Sequence, residues 1–204
     1  MANIDARFGL RPSGHLNGMP WNGATMKCYC HASYATALYI GDPVDLQTET
    51  DYQDTTAKHM SIVKSTLADG NYTMGAITGF DPDPDNLTYQ YKPASTTRLA
   101  HVCVDPQVIY QVRDDGTTLL TKLVPGQNGI LIETHTGSTV HGLSGMELDT
   151  NATAPSADAS NMLLIMNLSK IPGNTLAKRA IWDVMISMHR FAGYAAGILG
   201  VTAT

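Results

Sequence analysis

The chain is short of charge. Asp, Glu, Lys and Arg supply 15% of its 204 residues, against roughly 25% in soluble domains generally. A surface so poor in charge either stays neutral or is partly covered by another protein. Basic residues stand apart, as at Lys27, Lys58, Lys64, Lys92, Arg98 and Arg113. Without a basic run or stripe, direct binding of nucleic acid lacks its electrostatic footprint. The net charge of −5 favours solubility and does not select a partner. Cysteine is scarce too: Cys28, Cys30 and Cys103 are odd in number and lack framework spacing, which predicts reduced thiols in a protein made in cytosol. Cys28-Tyr29-Cys30 has no second cysteine pair beside a histidine, so zinc is not expected. No basic stretch followed by an apolar one opens the chain, so no signal peptide is expected. The most apolar tail, FAGYAAGILGV at 191–201, falls far short of the ~20 residues that span a bilayer, and no membrane partner is expected.

The familiar signatures of catalysis are missing as well. There is no Gly-Lys-Ser/Thr for a phosphate loop. Gly142-Leu143-Ser144-Gly145 has Met146 where a nucleophile elbow needs a glycine two residues after the serine. Histidines 15, 31, 59, 101, 135, 141 and 189 are dispersed, with no carboxylate in ligand register at His135 and His141. Glu133 and Glu147 are the only glutamates besides Glu49, and nothing in their setting favours a glycosidase pair. Asp81-Pro82-Asp83-Pro84-Asp85-Asn86 places carboxylates at positions 1, 3 and 5, as a calcium loop does. It then departs, with Asn86 where glycine is wanted and Lys92 where a bidentate glutamate is needed. A plain acidic turn is expected. These absences predict a protein that is not an enzyme, with no cofactor and no metal.

What is present is strand-like. MKCYCHASYATALYI at 26–40 is rich in aromatic and β-branched residues and ends at the turn Gly41-Asp42-Pro43; Val44 and Leu46 continue the alternation. Glycines 75 and 79 within YTMGAITGF suggest a bulge or a close backbone approach. RLAHVCVD at 98–105 and VIYQVRDDG at 108–116 alternate, and Asp115-Gly116 reads as a hairpin turn. Two or three short strands follow within 129–150. Two long ones finish the pattern, MLLIMNL at 162–168 and AIWDVMISMHRF at 180–191. In the last, Trp182, Val184, Ile186 and Met188 alternate with Asp183, Met185, Ser187 and His189, a period of two that outweighs the helix formers after Asn174. The expectation is a mainly β chain with one β-barrel or β-sandwich-like core over 25–191, an extended N-terminal arm over 1–24 and a short C-terminal tail over 192–204.

The arm, MANIDARFGLRPSGHLNGMPWNG, keeps no helical or strand period, yet it holds many apolar residues. Such residues in a non-periodic segment are normally buried against something. One reading packs the arm on its own core. The other carries it to a neighbour, since an extended segment spans ~3.3 Å per residue. Ile4, Phe8, Leu10, Arg11, Pro12 and Trp21 are the expected anchors at an interface with a second subunit or a different protein.

With Ala2-Asn3, Asp5-Ala6, Phe8-Gly9-Leu10-Arg11-Pro12, Asn22-Gly23 and Gly41-Asp42-Pro43-Val44, the chain resembles the head decoration (capsid cement) proteins of tailed bacteriophages, and a capsid or subunit interface is what that resemblance implies for the arm anchors. It extends to Gly79-Phe80, Pro82-Asp83, Asp85-Asn86-Leu87, Asp105-Pro106, the stretch from Leu143-Ser144-Gly145 to Leu148-Asp149, and the closing Trp182 to His189 segment. Arg7 stands where that family pattern has proline. It implies a virion protein on the exterior of the phage head, made in the host cytoplasm, which binds the major capsid protein and stabilises the lattice. It also implies a homo-oligomer, a trimer or dimer at local symmetry sites. A neck or tail component of the virion, and a non-catalytic β-barrel ligand-binding module, are the alternatives.

Overall fold

The structure, a computed structural model, describes residues 3–47 and 58–192. The part of the expected C-terminal tail beyond residue 192 lies outside the described residues. All regular structure is strand, and no helix occurs among the described residues. The segment after Asn174 that carried helix formers is a turn leading into the last strand.

One five-stranded sheet contains β1 (Arg11–His15), β7 (Val108–Arg113), β12 (Ile181–Ile186), β11 (Leu163–Leu168) and β8 (Asn128–Gly129), in that spatial order. A second sheet runs β2 (Met26–Cys30), β6 (Arg98–Cys103), β5 (Gly75–Phe80), β3 (Pro43–Leu46) and β4 (Ile62–Lys64). A two-stranded ribbon pairs β9 (Leu131–Ile132) with β10 (Glu147–Leu148). Every strand ladder is antiparallel. The second sheet curls until its edges meet at one parallel bridge, Tyr29 to Ser61. No ladder closes there, so among the described residues the fold is sandwich-like and contains no closed barrel.

Side-chain alternation explains how the layers join. On β5, Ala76 faces the core beneath the first sheet while its neighbour Ile77 faces the core of the second. On β6, Cys103 joins the first core, and Ala100 and Val102 join the second. Where they pass between the cores, at Gly75–Ile77 and Val102–Cys103, these strands are buried on both faces, which favours small or β-branched residues on each side. The register slips between Ile77 and Gly79, the bulge that the glycines predict. At Gly75 a Cβ would lie 1.9 Å from the Cys103 carbonyl oxygen, so only glycine fits. In β12, Trp182, Val184 and Ile186 point into the first core as the alternation predicts. Met185, Ser187, Met188 and His189 are buried as well, so the alternation of exposure ends at Met185.

Two expectations need correction. Asp115-Gly116 does not form a β-hairpin, because β7 has β1 and β12 as its neighbours. The turn is used instead to hold Asp114, whose carboxylate accepts from the Gly116, Arg179 and Ala180 amides and from Trp182 Nε1. Four donors on one buried carboxylate replace the hairpin as the device that turns the chain. The long strand expected over 26–40 stops at Cys30. Beyond it the chain is irregular and is fixed by single bridges, Leu38 to Lys92 and Ile40 to Leu143.

Candidate interaction surface

The anchors expected in the N-terminal arm divide into three groups. Leu10 is 1% exposed and sits in the first core. Trp21 is half-buried and packs against that core. Pro12 lies in β1, opposite Tyr110; this edge strand tolerates a residue without an N–H. Arg11 is exposed, donates to Gln111 Oε1 at 2.8 Å, and stacks its guanidinium 4.5 Å from the ring centre of half-buried Phe8. Ile4 is 82% exposed. The chain thus joins its own body at Gly9–Leu10, and residues 9–21 are part of that body rather than a free arm. The physical reason is the apolar content itself, since Leu10 and Trp21 find cover within the same chain.

Residues 3–8 lie across the surface between the 171–181 turn and the 134–145 segment. Asn3 donates to the Thr175 carbonyl at 3.0 Å and accepts from its amide at 3.1 Å. Asp5 pairs with Arg113 and Arg179, and Arg7 Nε donates to Glu147 Oε2 at 3.1 Å. Arg113 and Glu147 are each 1% exposed and pair with one another. Thr134 donates to Glu147 Oε2 at 2.6 Å. The hydrogen bond from Arg113 holds the Asp5 carboxyl below its ordinary range, assisted by the charges of Arg113, Arg7 and Arg179. Beside this segment is an apolar groove of about 430 Å³ whose lining includes Ile4, Phe8, Ile171 and Ile181. A second, more polar cleft of about 530 Å³ lies beyond Arg7, toward Ser138 and Leu143.

A different surface carries three exposed apolar or aromatic residues, Leu87, Tyr89 and Val140. The long connection between β5 and β6 carries Leu87, 78% exposed, and half-exposed Tyr89. The 137–143 loop carries Val140, 75% exposed. The loops touch where a Cβ on Gly142 would meet the Gln90 carbonyl oxygen at 2.5 Å. Beneath them Tyr39 and Tyr91 are stacked with ring centres 5.2 Å apart, and Tyr89 meets Tyr91 edge-on at 5.5 Å.

Buried cations hold this surface in place. Arg98 donates to the carbonyls of Asp81, Tyr89 and Tyr91 and lies over the Phe80 ring. Lys92 is fully buried, and its Nζ donates to the Tyr34 carbonyl at 2.7 Å and the Thr36 carbonyl at 3.2 Å. Burial lowers the pKa of both. Asp42, also buried, accepts from the Tyr39 amide and from Ser144 Oγ at 2.5 Å. The sequence shows Lys92, Arg98 and Arg113 as isolated basic residues. Nothing in that isolation marks Lys92 and Arg98 as donors to backbone carbonyls or Arg113 as the partner of Asp5 and Glu147.

The remaining chemistry candidates have structural partners. Asp81 is held by Lys27 at 2.8 Å and His101 at 2.8 Å, and the hydrogen bond from Lys27 lowers its pKa. Asp83 accepts from the Asp85 amide in an ordinary turn. Glu133 is paired with Lys64 at 2.6 Å. No group of three or more potential metal ligands occurs among the described residues. The three thiols are free and buried; burial pushes Cys28 and Cys30 up to about 12. No family model, curated protein or solved structure matches this chain.

Proposed function

We propose that this chain is a structural protein of a phage virion, which binds the outer face of the major capsid lattice and braces the head. The reading combines the sequence resemblance with the exposed surface of Leu87, Tyr89 and Val140 over stacked tyrosines, and this surface is the observation that carries it. Apolar and aromatic side chains held rigidly at loop tips lose little entropy when they are covered, which suits a docking surface. Buried Arg98 supplies that rigidity by donating to the Tyr89 and Tyr91 carbonyls of the same loop, and Lys92 ties the loop to the Tyr34 and Thr36 carbonyls. Titratable groups near these loops are engaged in structural pairs, as for Asp42 with Ser144 and Asp81 with Lys27. A protein that bridges capsomers needs such a surface, and symmetric oligomers would multiply its affinity.

The test uses heads of the encoding phage that lack this chain. The purified protein should co-sediment with them, and Leu87→Asp together with Val140→Asp should abolish co-sedimentation while leaving the melting temperature within a few degrees. Absence of binding by the unaltered protein would overturn the reading. Copy number separates the two virion placements: decoration runs to hundreds per particle, whereas a neck ring holds about a dozen.

A further inference from the structure

We propose that the body carries a peptide-recognition groove for a segment of pattern Asn-x-Asp-x-Arg, occupied here by residues 3–7 of the same chain and open to the same segment of a second copy when its own is displaced. The inference does not depend on virion placement. Three observations carry it. The polar side chains of Asn3, Asp5 and Arg7 engage the body, and the Ala6 amide donates to the Ile4 carbonyl at 3.1 Å, a tight turn at Asp5 between the two flanking anchors. The recognition is polar throughout, and neither core includes a residue of this segment; the first core residue is Leu10.

The receiving groups are also built independently of the segment. Arg113 is fixed by Glu147, and Glu147 by Thr134, so the two charges that receive Asp5 and Arg7 are prepaired in the body. The Thr175 amide and the carbonyls of Thr175, Ala177 and Lys178 converge on one side-chain amide, that of Asn3. Arg179 closes the site over the second Asp5 oxygen at 3.2 Å. An acid in the middle, a base two residues later and an amide two residues earlier are thus each matched by complementary groups. A segment with the acid and the base exchanged would set an arginine against Arg113 and Arg179 and a carboxylate against Glu147.

The experiment uses the full chain carrying Asp5→Asn and Arg7→Gln, which loosens its own segment. The probe is a fluorophore-labelled peptide of residues 3–9. The peptide should bind this variant at least about tenfold more tightly than it binds the unaltered chain, whose groove is filled at high effective concentration. A peptide bearing the same two substitutions should not bind. Raising the salt from about 0.05 to 0.5 M should weaken binding severalfold, as screening requires. Equal binding to both chains, or binding to neither, would overturn the proposal. A second measurement covers a variant that fails to fold. Ile4→Cys supplies an accessible thiol beside three buried ones, and a dye placed there should gain rotational freedom as salt rises. A dye already free at low salt would also overturn it.

Discussion

Gly9 and Gly41 pack backbone against backbone. A Cβ on Gly9 would lie 2.3 Å from the Gly41 carbonyl oxygen, and one on Gly41 would lie 2.0 Å from the Phe8 carbonyl oxygen. Both residues have left-handed backbones, with φ of 68° and 94°, and the Leu10 amide donates to the Gly41 carbonyl at 2.8 Å. This contact is where the N-terminal segment enters the fold. Gly41→Ala should therefore combine a left-handed penalty with a backbone displacement. We expect a loss of about 3 kcal/mol or more in urea unfolding. A loss under about 1 kcal/mol would show that the two segments can separate cheaply.

Leu10 and Ile4 should behave oppositely despite their similar chemistry. Leu10→Ala opens a cavity in the first core and should cost about 2–5 kcal/mol. Ile4→Ala removes a side chain that is 82% exposed and should change stability by less than about 0.5 kcal/mol. Equilibrium unfolding of the two variants side by side checks the contrast.

The loop between β5 and β6 depends on one buried guanidinium. Arg98→Met keeps much of the volume over Phe80 but leaves the carbonyls of Tyr89 and Tyr91 without that donor. The expected loss is about 2–4 kcal/mol. Limited proteolysis should then cut first within residues 82–97, because the apolar cores do not depend on that loop. Cleavage appearing elsewhere first would contradict this division.

Strand positions and pleat were legible in the sequence wherever alternation was sustained. This holds at Trp182, Val184 and Ile186, and at Cys28 and Cys30, which face one core together. The bulge near Gly79 was legible for the same reason, since glycine inside a strand pattern needs a cause. Pairing was not legible. Asp115-Gly116 looks like a hairpin because turn chemistry is local, whereas the partners of β7 lie about 70 and 100 residues away. The site residues divide similarly. Apolar content marked Leu10 and Trp21 as residues needing cover, but it could not say whose surface covers them. Lys92 and Arg98 were hidden because a buried cation is defined by the carbonyls around it, which composition does not record.

The acidic loop should ignore calcium. Asp81 is already engaged by Lys27 and His101, and Asp83 by a turn amide. Asp83→Asn should shift the midpoint of thermal unfolding by no more than a degree or two, with or without millimolar calcium. A calcium-dependent rise in the unaltered chain that this substitution removes would establish a cation site.

His189 should impose a pH dependence that can be isolated. Burial lowers its pKa from 6.5 to about 4, and the Asp105 and Asp45 carboxylates only partly oppose that fall. Nδ1 accepts from the Phe191 amide at 3.1 Å, so the folded ring is neutral and carries its proton on Nε2. Between about pH 6.5 and 4 the unfolded chain binds this proton and the folded chain does not, so stability falls as pH falls through that window. The slope reaches about 1.4 kcal/mol per pH unit, and the total approaches 3 kcal/mol. Above about pH 7 this group adds no slope. Asp42 and Asp114 have pKa values raised by burial and act in the opposite sense, binding protons preferentially in the folded state. The measurement is therefore a difference: urea unfolding of the unaltered chain and of His189→Asn across pH 4–8. The gap between the two curves should narrow steadily as pH falls below 6.5. A constant gap would mean that the folded histidine protonates at its ordinary pKa.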